Sequence, residues 1–348
     1  MKITSSKLPI KISFFAVLTL GLVFCVINSA QALTVSPPTY EIGATPGQTL
    51  TTGLKVFNET GQGGTFYFDT QNFTAKGDEG EPNFINEIQK TDLASWIQTP
   101  VSIDLAPGEL KRVDFTINVP ANADPGGHYA AIFLTTSPAA SAGAGSVGIT
   151  SKIGSLVLLR VDGDVIEEGK LESFSVDNKN NFYNHLPVNF SIKIDNPGTV
   201  FIKPSGKITI SNMVGQKSAE LLVNIGRMPD GTYAPVGNVL SNSSRKFGAT
   251  WSKNGEDAAP ANFFQNIKFE LDNFAIGKYT ANLNLTYGVK SDKKISGTLA
   301  FWVFPWRILL IGFVIFSIVA FILVMGVRSY NGWIIKKARE SIENGNKK

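Results

Sequence analysis

The sequence predicts an all-β exported region, two tandem immunoglobulin-like β-sandwiches, followed by one C-terminal transmembrane helix. Three observations predict it: apolar and polar residues alternate strictly in several stretches, turn signals separate those stretches, and residues 308–327 form a run of 20 without one charge. Strict alternation puts one strand face on a core and the other in water. An uncharged run of that length spans about 30 Å as a helix, the hydrocarbon thickness of a bilayer.

In chain order, residues 1–32 read as a signal peptide. Lys2, Lys7 and Lys11 form a basic leader, 12–27 is almost entirely apolar, and Ala30-Gln31-Ala32 offers small residues for cleavage after Ala32. An uncleaved anchor is the alternative reading of the same apolar run. The single cysteine, Cys25, lies in this leader, so the exported region is expected to fold without disulfides. Residues 33–306 carry 22 Lys/Arg against 26 Asp/Glu, a net charge of −4. That balance points away from a nucleic-acid partner.

The first sandwich is expected over 33–161 and the second over 162–304. Residues 113–119, 188–195 and 281–287 alternate without exception, and Pro46-Gly47, Ala106-Pro107-Gly108-Glu109, Pro125-Gly126-Gly127 and Asn196-Pro197-Gly198 supply turns between strands. A helical turn or two fits 84–96, where Leu93-Ala94-Ser95-Trp96 lacks alternation. An internal repeat supports two copies of one module: the strand ending at Asn58 resembles the one ending at Asn196, and the stretch through Tyr129 resembles the one through Tyr279. Tyr129 and Tyr279 each follow a Gly by two residues, the setting in which a Tyr hydroxyl ties a sandwich corner to a nearby backbone group; half-buried strand aromatics are the plainer reading.

Val35-Ser36-Pro37-Pro38-Thr39-Tyr40-Glu41-Ile42, Ala44-Thr45-Pro46-Gly47-Gln48-Thr49, the Asn58 turn, Trp96-Ile97, Leu105-Ala106-Pro107-Gly108, Val119-Pro120 and Asp124-Pro125-Gly126-Gly127-His128-Tyr129 together resemble the N-terminal domain of the bacterial WxL-interacting proteins. The resemblance covers roughly 33–161. It implies an immunoglobulin-like sandwich associated with peptidoglycan or with other wall proteins, in a layout of leader, two sandwiches, one span and a basic tail.

Enzyme chemistry finds little material. The chain has two histidines, His128 and His185, one in each expected domain, and neither a metalloprotease helix motif, a phosphate loop nor a dinucleotide fingerprint. No cofactor is therefore expected. Asp162, Asp164, Glu167 and Glu168 cluster at the interdomain turn, as a solvated loop or a calcium loop. Lys76-Gly77-Asp78-Glu79-Gly80-Glu81 reads as an exposed hairpin tip. Phe66, Tyr67 and Phe68 break alternation with three successive aromatics: either one faces outward to stack on a sugar or a protein, or the strand is packed on both faces. His128 is a further candidate ligand contact, or else a solvated residue at the start of a strand. The small-residue loop 137–151 is either a recognition loop or a slack connection. Trp251 reads as core.

The apolar run is the membrane helix, 305–328 with its flanks. Arg307 and Arg328 close it, Trp302 and Trp306 before it and Tyr330 and Trp333 after it sit where rings prefer headgroups, and Lys/Arg prevail in the tail 329–348. The expected topology is single-pass type I, with the N-terminal region outside and the tail in the cytoplasm. The expected role is a non-enzymatic binding or scaffolding protein of the bacterial envelope, in contact with the lipid bilayer and with peptidoglycan, another wall polymer or surface proteins. An accessory subunit of a membrane export or assembly complex is the alternative, and a carboxylate-dependent wall hydrolase a more distant one.

Overall fold

A computed structural model describes residues 33–85, 91–136, 152–178, 180–253 and 262–345. The leader 1–32 and the loop 137–151 lie outside the described residues. The chain is mostly β, with one long apolar C-terminal helix, and separates into two compact units. The first takes in Phe84–Asp124, His128–Asp162 and the described chain before Thr74; the second holds Thr74–Asn83, Pro125–Gly127 and the chain from Gly163.

The strands β1 (Leu33–Ser36), β2 (Thr39–Ala44), β3 (Thr49–Asn58), β4 (Gly64–Lys76) and β5 (Glu81–Phe84) lead to helix α1 (Asp92–Trp96). Then come β6 (Ile97–Gln98), β7 (Ser102–Leu105), β8 (Leu110–Asn118), β9 (Gly126–Thr135) and β10 (Lys152–Val161). One sheet runs β1-β3-β8-β6; the other runs β2-β10-β9-β4-β5, with β7 also on β4. β1 is antiparallel to β3, whereas β2 is parallel to β10 in the opposite sheet. Pro37 and Pro38 lie between them, and a residue without N–H cannot feed a ladder, so the chain leaves one sheet there and joins the other. Leu54, Val56, Ile117, Ile132 and Leu159 meet in the core.

The second unit contains β11 (Lys170–Val176), β12 (Phe182–Tyr183), β13 (Val188–Asn196), β14 (Ser205–Asn212), β15 (Lys217–Val223), β16 (Ile225–Arg227), β17 (Tyr233–Pro235) and β18 (Ser243–Trp251). Helix α2 (Phe263–Asp272), β19 (Gly277–Tyr287), β20 (Lys293–Val303) and helix α3 (Trp306–Gly345) follow. Its sheets run β11-β13-β18 and β12-β20-β19-β14-β15, with a β16-β17 ribbon. Val188, Phe190, Ile192 and Ile194, every second residue of β13, are buried, as their alternation in the sequence dictates. Each such side chain contributes about 1.5–3 kcal/mol by leaving water.

The repeat in the sequence corresponds to a pair of matched corners. Asn58 and Asn196 are both fully buried at the end of a central strand. The Asn58 Nδ2 donates to the carbonyls of Gln62 (2.8 Å), Ala106 (3.1 Å) and Leu105 (3.3 Å), and its Oδ1 accepts from Thr60 N (3.1 Å). The Asn196 Nδ2 donates to Val200 (2.8 Å), Val239 (2.9 Å) and Leu240 (3.0 Å), and its Oδ1 accepts from Gly198 N (3.0 Å). In both, the side chain spans the turn it begins and reaches a neighbouring loop, satisfying carbonyls that strand pairing leaves over. Tyr279 makes the expected corner bond, its hydroxyl donating to Ile276 O at 3.3 Å. Tyr129 is buried with its ring 5.9 Å from Phe73.

Some expectations need correction. The chain before Trp306 is mostly β, but a helix goes unforeseen there: α2, of 10 residues, inside the second unit. The helix that begins at Trp306 does not stop at Arg328 but continues through the basic segment to Gly345, 40 residues or about 60 Å in all. The tip between β4 and β5 is exposed, as the sequence indicates, but it groups with the second unit, where the half-buried Asp78 takes ion pairs from Lys246 (3.0 Å) and Lys193 (3.6 Å). Among the described residues no three His, Cys, Asp or Glu side chains gather as cation ligands, the carboxylates near Asp162 included.

Candidate functional site

Two constellations of polar and aromatic side chains stand out, one in each unit. In the first unit, α1 is only five residues long and far too short to hold itself together. It is held by β4: the Asn72 Nδ2 donates to Thr91 O (2.7 Å), the Asn72 Oδ1 accepts from Ala94 N (2.9 Å), and the Thr70 hydroxyl donates to Ala94 O (2.9 Å). Leu93 and Ala94 are buried beneath it. Asp92 opens the helix with φ +45°, a left-handed conformation that L residues adopt rarely and Asp more readily than most.

That anchoring aims Asp92 at His128 on β9. The His128 Nδ1 lies 2.6 Å from Asp92 Oδ1, its Nε2 lies 2.9 Å from Asp124 O, and the Trp96 ring sits 4.7 Å away. A carboxylate and a carbonyl only accept, so both ring nitrogens donate, which describes the imidazolium. Burial opposes the charge, but the hydrogen bonds to Asp92 and Asp124 outweigh it and raise the His128 pKa above its ordinary value. His128 is therefore not a solvated residue at the start of a strand, as one sequence reading has it; its side chain is mostly enclosed by Asp92 and Trp96.

The aromatic triplet divides. Phe66 is buried in the core and Phe68 packs against it, while Tyr67, on the alternate face, is half-buried. β4 carries neighbours on both edges here, pairing Tyr67 with Ser102 of β7 and with Thr135 of β9. Phe66 is thus a core residue, not a ligand contact. The triplet lies on β4 and His128 on β9, and within the triplet Tyr67 and Phe68 each keep a partly open ring, on opposite faces of the strand.

In the second unit the chemistry gathers beside the start of α3. Asn262 caps α2, its Oδ1 accepting from Gln265 N at 2.9 Å. Near the other end Glu270 is fully buried and ion-paired with Arg307 at 2.5 Å. The Arg307 guanidinium also lies 5.1 Å over the Trp306 ring. Glu270 Oε2 and Asn273 Oδ1 are buried without a hydrogen-bond partner among the described residues. His185 packs its ring on Phe269 at 4.9 Å and turns Nδ1 to Leu186 O, 2.7 Å away.

The flanking residues named from sequence take these positions: Trp302 and Trp306 are exposed, Arg307 is tied to Glu270, and Arg328, Tyr330 and Trp333 are exposed on the helix. Tyr330 stacks on Trp333 at 6.3 Å, and the Lys337 ammonium sits 4.6 Å over Trp333. A cleft of about 500 Å³ elsewhere in the unit is lined by Glu220, Trp251, Lys253, Phe274 and Tyr279 among others. Trp251 is nevertheless a core residue, buried edge-on to Tyr279 at 4.9 Å. Lys207 and Lys217 hold Glu220, the carboxylate of that lining, and keep its pKa low. Glu270, Asn273 and the Asp92 partner of His128 were not foreseen as functional from the sequence.

No family model matches the chain, and no curated protein matches it. Solved structures do. A chain from a chaperone–tip adhesin complex of CFA/I fimbriae biogenesis aligns over 78% of this chain and 98% of its own at 10% identity, TM-score 0.34. The class 5 fimbriae chaperone CfaA aligns over 77% and 98% at 11% identity, TM-score 0.35. A chain of the CsuC–CsuE chaperone–tip adhesion subunit pre-assembly complex of Acinetobacter baumannii aligns over 78% and 98% at 11% identity, TM-score 0.33. At these values the likeness is one of general β-sandwich architecture and assigns neither partner nor activity.

Proposed function

We propose that this chain is a non-enzymatic, membrane-anchored binding arm of the bacterial envelope. Two tandem immunoglobulin-like modules stand outside the membrane, a single span holds them there, and the basic segment that follows lies in the cytoplasm. The contacts are peptidoglycan, another wall polymer or wall-associated proteins near the membrane, the association that the resemblance of 33–161 to WxL-interacting proteins implies.

The observation that supports this most is the junction between sheet and helix. β20 ends at Val303, and α3 begins at Trp306. The apolar helix is long enough to cross a bilayer and no part of its most apolar window is buried, so its natural solvent is lipid. Exposed aromatics flank it, and the basic residues Lys336, Lys337 and Arg339 follow it, which favours a cytoplasmic C-terminal side.

The test is co-sedimentation of the full-length chain in mild detergent with purified cell-wall sacculi, and in parallel affinity capture with solubilised envelope proteins. Saturable binding to sacculi supports the wall-contact reading, and capture of defined envelope proteins alone narrows it to scaffolding. Binding to neither overturns it. Release of soluble sugar fragments from sacculi overturns the non-enzymatic assignment.

A further inference from the structure

Helix α2 reverses the usual arrangement of an amphipathic helix. At 100° per residue, Phe263, Phe264, Ile267 and Leu271 fall on one stripe about 100° wide. In a helix packed on a soluble core that stripe faces inward. Here Phe263, Phe264 and Leu271 are exposed, Phe264 by 80%, while the buried positions belong to Glu270 and the capping Asn273. The side turned to the protein carries Glu270, which meets Arg307 in the first turn of α3, with Asn273 and the half-buried Phe269, while Gln265, Lys268 and Asp272 on a third side are exposed.

The exposed apolar residues continue around the start of α3. Gly277 pairs with Val303 and Asn212 with Tyr279, which brings Ile276 and the β14–β15 turn to the end of the sheet where the chain leaves for the membrane. Met213 and Val214 at the tip of that turn are exposed, Val214 by 79%, and the Met213 side chain reaches toward Gly277, its Cε 2.9 Å from where a Cβ there would sit. Phe182 and Phe304, both exposed, lie ring to ring at 6.3 Å. With Trp302 and Trp306 these side chains make one end of the unit apolar, in continuity with the apolar helix. A patch of this kind marks an interaction surface.

Resting on the anchoring proposed above, we propose that α2 and the β14–β15 turn lie in the outer headgroup layer of the bilayer that α3 crosses. The second unit is then held to lipid by an interfacial helix as well as by its span. The stripe gives the helix its apolar face, the Glu270–Arg307 pair fixes it beside the span, and the exposed tryptophans mark the same depth.

The test uses the full-length chain with Cys25→Ser and single cysteines at Phe264→Cys, Val214→Cys, Phe316→Cys or Ser296→Cys. Each is labelled with an environment-sensitive fluorophore and reconstituted in phosphatidylcholine–phosphatidylglycerol vesicles. Ser296 lies mid-strand on β20 and reports the aqueous side; Phe316 lies within the apolar helix. Probes at 264 and 214 are expected to be quenched by lipid-borne nitroxide at least about twofold more than the probe at 296, and to resist aqueous iodide. Equal behaviour of 264, 214 and 296 with a lipid-quenched 316 overturns the interfacial helix and leaves the anchor standing. A 316 probe open to iodide overturns the anchor itself. Shielding of 264 and 214 from both quenchers assigns the patch to a protein contact and overturns the lipid one.

Discussion

His128 with Asp92 in the first unit and Arg307 with Glu270 in the second are each a cation and a carboxylate joined at a short helix, at 2.6 Å and 2.5 Å. Their settings differ. The Asp92 side chain is 45% exposed and the Glu270 side chain is fully buried. An imidazolium can lose its proton within the physiological range, whereas a guanidinium cannot. The first pair is therefore conditional and partly screened by water. The second is enclosed, and breaking it leaves Glu270 where water does not reach.

The strongest way to break the comparison is Arg307→Ala, which strands Glu270 and should cost the second unit about 3–5 kcal/mol. Arg307→Lys should recover part of it. Both are read by urea titration of the full chain in detergent, with hydrogen exchange assigning the loss to the second unit; a cost near zero would mean that Glu270 is not enclosed as described.

A smaller effect is expected at the matched corners. Asn58→Ala and Asn196→Ala each leave several buried carbonyls unserved and should cost about 2–3 kcal/mol. Exchange protection should fall in the first unit for one and in the second for the other. Costs that differ by more than twofold would show that similar geometry conceals different roles.

The smallest effect sharpens the contrast. Because the folded His128 pKa is raised above its unfolded value near 6.5, its stabilisation is fully present below that pH and is lost as pH rises through the folded value. With Asp92 so exposed the loss should be no more than about 1 kcal/mol. Thermal melting of wild type and His128→Gln across that window checks it: the wild type should lose an increment that the variant lacks. A wild-type profile rising with pH would contradict the imidazolium geometry.

Sequence made the strands legible because burial on one face leaves a period of two, as Val188, Phe190, Ile192 and Ile194 show. It made the corners legible as a repeat, since Asn followed by a Gly-containing turn occurs at both Asn58 and Asn196. The His128 site was hidden because its partner Asp92 is 36 residues away and only the fold joins them. The aromatic triplet was ambiguous because three apolar rings in a row do not say which face is buried; the fold puts Phe66 and Phe68 on the core face and Tyr67 on the other. Helix α2 escaped for a different reason. Its N-cap Asn262 and the spacing of Phe263, Ile267 and Leu271 are helical signals, but a pattern gives a face without saying whether that face meets protein or another apolar medium.

The direct passage from β20 into α3 has a mechanical consequence. Val303 is followed by only two residues before the helix, and these are tied down: Phe304 N donates to Tyr183 O at 2.7 Å and Trp306 N to Phe304 O at 2.8 Å. Tension on the proposed anchor would therefore enter the unit through β20, whose register with β19 runs from Lys293 to Val303 over 11 residue pairs. The strand that would carry the load is thus paired along its whole length.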